Sequence, residues 1–188
     1  YRIYGNYVRS EDDETTVRLA TIFFVDMTEM FNVRDEFLRT RPITAVILID
    51  NYDELMSNLP DSTISKLDAQ INEAVSGWVT GLHALCRKIE RNRYLLLFES
   101  KDLSRLQEGK FSILDSIRAV CNPAGVGATI SLGIGRDGSS FEENYSFANL
   151  SIEMALSRGG DQVVIKDRYN FTFYGGRSKE TERRTRVK

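Results

Sequence analysis

The chain has 188 residues, of which 41% are apolar and 28% charged, with a net charge of −2 and a pI of about 5.6. That is the make-up of a globular protein with room for one full domain and a smaller neighbour. It argues against a general polyanion binder, which is usually basic, and no apolar run approaches the ~20 residues of a membrane-spanning helix.

The first 26 residues predict a hairpin. Tyr1, Ile3, Tyr4, Tyr7 and Val8 lead to an acidic turn at Glu11–Glu14, and VRLATIFFV (17–25) returns. Two strands do not stand alone, so this opening reads as the end of another domain. Asp26 or Thr28 then caps a helix over 29–41 carrying Met30, Val33, Phe37 and Arg41 at steps of three, four and four. This narrow stripe fits a two-helix contact between two copies of the chain, or equally an amphipathic helix lying on its own domain.

Residues 42–49, PITAVILI, are apolar on both faces and predict a central strand covered on two sides. It ends at Asp50, Asn51, Tyr52 and Asp53, at the carboxyl end where open α/β sheets hold ligands. Leu55 to Asp61 reads as a turn. Asp61 or Ser62 caps a helix in which Ile64, Leu67, Ile71, Val75, Trp78 and Leu82 recur at helical spacing. Two strands follow, 82–89 and 93–98, joined at Glu90, Arg91 and Asn92, with LLLF as a buried centre and His83 packed within the first. Asp102 to Gly109 reads as a turn. The next helix has Ile113, Leu114, Ile117, Val120 and Cys121 on its apolar face, and Cys86 and Cys121 read as reduced core thiols.

A short strand over 129–134 is punctuated by Gly125, Gly127, Gly133, Gly135 and Gly138. These read as turn residues, because a phosphate cradle needs a helix start immediately after it and about nine residues intervene here. A helix with Tyr145, Ala148, Ile152 and Ala155 stops at Gly159–Gly160, a left-handed stop. Residues 161–165 read as the last sheet strand, followed by an extended piece with Phe171, Phe173 and Tyr174. The tail from Arg177 to Lys188 has six basic and two acidic residues, +4 against −6 for the remainder, and reads as a solvated linker rather than a polyanion arm.

The order β, α, β, β, α, β, then helix and strand, is an α/β (α+β) fold: a mixed sheet with a ferredoxin-like βαββαβ core and helices on its faces. Four landmarks in order, IDNYD, KIERNRYLLLF, ATISLGIG and FANLSIEMALSRGGDQVVI, resemble the GGDEF domain of diguanylate cyclases. With Tyr52 on that family's aromatic position, its two metal-binding aspartates fall on Leu48 and Asp50 and its phosphate-binding lysine on Asp53. Its guanine-reading pair falls near Met56 and Ser65, and its five signature residues become Glu90, Arg91, Asn92, Arg93 and Tyr94. The resemblance therefore implies no cyclase activity. A cation at Arg93 would oppose a metal by ~4 kcal/mol per unit charge at 4 Å and intermediate dielectric. The family's inhibitory RxxD motif upstream of the signature is missing too, because no aspartate follows Arg87 or any nearby arginine at that spacing.

The exit VDMTE, the altered signature and the close of the chain are similar to one subgroup, the GdpP (YybT-type) cyclic-di-AMP phosphodiesterases. Those carry membrane helices, a PAS domain, a degenerate GGDEF domain and a catalytic DHH/DHHA1 pair. The resemblance implies four segments: 1–26 as the last strands of a PAS-like domain, 27–41 as a signalling helix, 42–167 as a degenerate GGDEF domain, and 168–188 as a strand and linker towards a DHH/DHHA1 domain. It implies a regulatory, dimerising module in the cytoplasmic portion of a cell-membrane protein, with Met30, Val33 and Phe37 at the dimer contact. Partners are a second copy and the flanking PAS and DHH/DHHA1 domains. The segment itself would need no cofactor and hold no catalytic residue and no metal, with manganese serving the DHH domain. The alternative is a residual purine-nucleotide pocket with weak magnesium-dependent ATP hydrolysis, made of Asp50, Asn51, Tyr52, Asp53, Arg91, Asn92 and Arg93. Against it stands an Asp53–Arg93 ion pair at the surface. RNA binding by an RRM-like sheet is disfavoured, because the corresponding strands are aliphatic and the chain is acidic.

Overall fold

A computed structural model of the protein describes residues 1–12 and 15–175. The tip of the first hairpin and the basic tail lie outside these. The chain divides into two units, Tyr1–Thr40 and Arg41–Lys188.

In the first unit, β1 (Arg2–Asp12) pairs antiparallel with β2 (Thr15–Val25), from Arg2 opposite Val25 to Asp12 opposite Thr15. Helix α1 (Thr28–Thr40) follows, and Asp26 is its cap: its Oδ1 accepts from the Thr28 amide at 2.9 Å and from the Thr28 hydroxyl at 2.6 Å, which holds its carboxyl below the usual range. No residue of α1 is buried. The apolar arc is wider than the predicted stripe. At 100° per residue, Met30, Phe31, Val33, Phe37 and Leu38, all exposed, span about 160° of the helix together with Arg34.

The second unit is built on a six-stranded sheet in the order β4-β5-β3-β6-β7-β8. Strand β3 (Pro42–Ile49) is buried from Ile43 to Ile49 and pairs antiparallel with β5 on one side and β6 on the other. A short helix, α2 (Tyr52–Met56), follows and takes in Leu55 and Met56 from the turn expected over Leu55–Asp61; it turns Tyr52, Leu55 and Met56 into the core. Helix α3 (Asp61–Thr80) buries Leu67, Ile71, Val75 and Val79, and Pro60 stands at its cap position in place of the expected Asp61 or Ser62. Strands β4 (Ala84–Glu90) and β5 (Arg93–Glu99) form the expected hairpin, with a bulge between Lys88 and Glu90. Burial along β5 alternates, so Tyr94, Leu96 and Phe98 enter the core while Leu95 and Leu97 turn to the other face. His83 lies ahead of β4 with an exposed ring 3.6 Å from Asp102, not packed inside a strand.

Asp102 to Gly109 is not a turn but most of helix α4 (Ser100–Glu108), anchored by Leu103 and Leu106. Helix α5 (Ile113–Arg118) buries Ile113, Leu114 and Ile117 but ends before Val120 and Cys121. Cys121 is therefore exposed, not a core thiol, while Cys86 is half-buried and its thiol is pushed up by burial. Strand β6 (Ile130–Gly135) contains Gly133 and Gly135. They are not turn residues: a Cβ on Gly135 would stand 1.9 Å from the Asn144 carbonyl oxygen, and one on Gly133 2.2 Å from that of Ala148. They let helix α6 (Phe141–Ser157) lie directly on β6. The helix starts at Ser140, whose hydroxyl accepts from the Glu143 amide, and ends ahead of Gly159 (φ 100°) and Gly160 (φ 72°). Strand β7 (Gln162–Lys166) runs parallel to β6 and is not the last: β8 (Phe171–Gly175) pairs antiparallel with it at the sheet edge.

The main core lies between the sheet and α2 to α5. A smaller one, Val46, Leu48, Ala148 and Ile152, lies under α6.

Candidate functional site

The carboxyl end of β3 is clamped on both sides. The Ile49 amide donates to the Asn92 carbonyl at 2.9 Å, and the Asp50 amide to that of Thr129 at 2.9 Å. The β4–β5 turn is thereby held beside the strand end, so that Asp50 to Tyr52 and Arg91 to Arg93 are neighbours although forty residues apart. Because side chains alternate along a strand, Leu48 shares the α6 face with its cross-strand partners Arg93 and Ser131.

Asp50 continues on that face and turns inward. Its Oδ2 accepts from the Asp161 amide at 2.8 Å, over Gly160, where a Cβ would approach that oxygen to 2.7 Å. Burial pushes its carboxyl above the ordinary range, tempered by the Asp161 amide and by Ser131. Asp161 in turn receives the Arg118 Nε at 2.9 and 3.0 Å, and Arg118 reaches Asp115 at 2.6 Å. Asp50 thus ties β3 to the α6–β7 turn and, through Asp161, to α5. Three buried polar atoms here make no well-formed hydrogen bond: Asp50 Oδ1, Ser131 Oγ and Arg93 Nε.

Asn51 is spent on the fold: its Nδ2 donates to the Gly127 carbonyl at 2.9 Å, and its Oδ1 accepts from the Thr129 amide at 3.0 Å. Tyr52 is buried with its hydroxyl 3.4 Å from Asp68, and the Arg91 guanidinium lies 5.8 Å over its ring. Burial, then the charge of Asp68, raises its pKa. Lys88 pairs with Asp68 at 3.0 Å, and Tyr94 bonds Asn72. Tyr52, Asp68, Lys88 and Arg91 line an open groove of ≈ 560 Å³ beneath the turn, with Ile64, Ile89 and Glu90. Asp53 is exposed, and the expected Asp53–Arg93 pair does not form: Arg93 faces Glu90 at 3.9 Å, because Arg93 points to the α6 face while α2 carries Asp53 to solvent.

The seven candidate residues are thus gathered at one end of the sheet but not into one pocket. Asp50 and Arg93 lie towards α6, Tyr52 and Arg91 towards α3, and Asn51 in the backbone clamp. Sequence reasoning missed Asp161, Ser131, Asp68 and Lys88, and only the Gly-Gly-Asp stop at 159–161 marked any of them. Among the described residues no three or more His, Cys, Asp or Glu side chains converge on a metal position.

A mixed sheet whose central strand ends against the turn of a neighbouring hairpin is the GGDEF-domain fold. The chain superposes on the crystal structure of the GGDEF domain of DgcB from Caulobacter crescentus in complex with c-di-GMP with a TM-score of 0.58, at 14% identity over 73% of this chain and 85% of that one. The family model described as cyclic-di-AMP phosphodiesterase GdpP-like, GGDEF domain, matches residues 47–173. The cyclic-di-AMP phosphodiesterase GdpP of Bacillus subtilis (strain 168) is 34% identical over 168 residues, and PdeA of Listeria monocytogenes serotype 1/2a (strain 10403S) is 33% identical over 168. Each match covers 89% of this chain, and the chain spans 26% of the length of each relative. The chain belongs to the GdpP-type GGDEF-domain family.

Proposed function

We propose that this chain is the regulatory, self-associating GGDEF-like module of a membrane-anchored cyclic-di-AMP phosphodiesterase, relaying a signal from a PAS-like segment to a DHH/DHHA1 hydrolase segment, and that it makes no cyclic dinucleotide itself. The observation that carries this reading is Leu48 directly opposite Arg93 at the end of the central strand. Where cyclase chemistry calls for carboxylates to hold divalent ions, this site offers an aliphatic chain and a guanidinium, and its remaining carboxylate, Asp50, is engaged by the Asp161 amide. The exposed residues Met30, Val33 and Phe37 of α1 support self-association. Partners are a second copy and the flanking domains of the same polypeptide, in its cytoplasmic portion, and not nucleic acid. The module requires no cofactor, and manganese serves the hydrolase segment.

Two measurements test this. Incubation with GTP and magnesium or manganese yields no cyclic dinucleotide, and sedimentation finds a dimer that Val33→Glu converts to monomer. Formation of cyclic di-GMP, or a strict monomer at hundreds of micromolar, overturns the reading.

A second reading, a residual purine-nucleotide pocket with slow magnesium-dependent ATP hydrolysis, is favoured by the three unsatisfied polar atoms at Asp50, Ser131 and Arg93. Calorimetry with ATP and with GTP, with and without magnesium, decides it. Absence of heat at millimolar ligand removes it.

A further inference from the structure

We infer that the face of the sheet formed by β4 and β5 receives helix α1 of a second copy of this chain. The inference rests on the self-associating reading above and names the surface it uses.

Helix α6 covers β3, β6 and β7 on its side of the sheet, and on the same side Leu85 and Arg87 of β4 are exposed. Three leucines stand on that face. Leu85 is 67% exposed, its cross-strand partner Leu97 is half-buried, and Leu95 joins the small core under α6 at its inner margin. Arg87, opposite Leu95, is exposed and forms no ion pair among the described residues, and Arg93 closes the row towards the hairpin turn. A sheet face with this composition is one helix short of the layered packing that buries both sides of such a sheet.

The chain also carries a helix whose apolar arc is exposed. Along one edge of that arc, beside Val33, Glu29 and Glu36 lie one above the other, seven residues or about 10 Å apart. On the sheet, Arg87 and Arg93 are about 8 Å apart, one strand across and two residues along. Two carboxylates thus match two guanidinium groups, that of Arg93 already 3.9 Å from Glu90, while the apolar arc meets the leucine row. The lengths agree as well: thirteen helical residues span about 20 Å and a seven-residue strand about 23 Å.

The occupant comes from a second molecule because of chain length. Only Arg41 separates Thr40, the last residue of α1, from Pro42, the first of β3. Two Cα steps of about 3.8 Å cannot return a helix over layers packed about 10 Å apart, still less across β5 to β4. Reciprocal exchange gives two identical contacts about a two-fold axis, the commonest symmetry of a homodimer.

Sedimentation velocity on the 188-residue chain and its variants tests this. Leu85 is a surface residue, so Leu85→Glu leaves the fold intact by circular dichroism and raises the dimer Kd by at least about 30-fold, as Val33→Glu does. Arg87→Glu weakens the dimer, and adding Glu36→Arg restores it. Mixing Val33→Glu with Leu85→Glu recovers a heterodimer, because one intact helix then meets one intact face. A dimer lost in Val33→Glu but unchanged in Leu85→Glu, with no recovery on mixing, means that α1 pairs with its own counterpart; it overturns this inference and spares the reading beneath it. A wild-type monomer overturns both.

Discussion

Gly135→Ala tests the packing that sets the spacing between α6 and the sheet. The added Cβ would meet the Asn144 carbonyl oxygen at 1.9 Å and the Ala148 amide nitrogen at 2.8 Å, both backbone atoms of α6 that no rotamer change can move. Restoring an ordinary contact of about 3.3 Å requires the helix to retreat by more than 1 Å. That retreat loosens Ala148 and Ile152 from Val46 and Leu48. Overpacking of a tight core costs about 1–3 kcal/mol when side chains can adjust, and a rigid helix backbone puts this case at about 3 kcal/mol. For a domain of this size that is about 10 °C in Tm, or roughly 1–2 M in urea midpoint. The single tryptophan, half-buried Trp78, reports the transition by fluorescence. Gly77→Ala is the control: nothing lies within 4 Å of its Cβ on α3, so it stabilises by up to about 1 kcal/mol. A Gly135→Ala protein within about 0.5 kcal/mol of wild type refutes the close approach.

Asn51→Ala removes two hydrogen bonds that hold the segment before β6. Urea titration is expected to find a loss of about 1–3 kcal/mol, and a neutral result would return Asn51 to the candidate pocket. Asp50→Asn keeps an acceptor for the Asp161 amide and removes a desolvated charge. Because the folded carboxyl titrates above its ordinary 3.8, wild-type stability from this group is complete below that value and is lost as pH rises through the folded pKa. The variant is therefore more stable than wild type at pH 7, by an amount that fades towards pH 3. A pH series of melting temperatures in which the difference grows in acid contradicts the assignment. Leu114→Ala, a truncation beneath the β8 terminus, should cost about 2–5 kcal/mol in the same titration, whereas an unchanged midpoint would mean that α5 is not anchored in the core.

The linear chain was most legible where one face repeats over many residues. Residues 42–49 read as a doubly covered strand, and the Ile64-to-Leu82 series read as a helix, which ends at Thr80 and leaves Leu82 outside. Once the landmarks aligned, the resemblance implied that Leu48 takes the place of a metal-binding aspartate and that Arg93 takes a place in the signature turn. Short elements were not legible. α2 and α4 hold too few turns for a period to emerge, and Cys121 follows an apolar stripe whose last buried residue, Ile117, stands four residues before it.

Periodicity along the sequence determined most of the strands and the longer helices, because these depend on residue type at fixed local spacing, and the resemblance to the GGDEF family implied that Leu48 and Arg93 stand where that family has acids. Neither could determine that Gly133 and Gly135 serve α6 rather than turns, that Asp50 is held by Asp161 111 residues away, that Asn51 is spent on Gly127 and Thr129, or that Leu85 of β4 stands exposed. Those outcomes depend on which distant backbone atoms come within about 3 Å of each other, and the sheet order and the seating of α6 decide that.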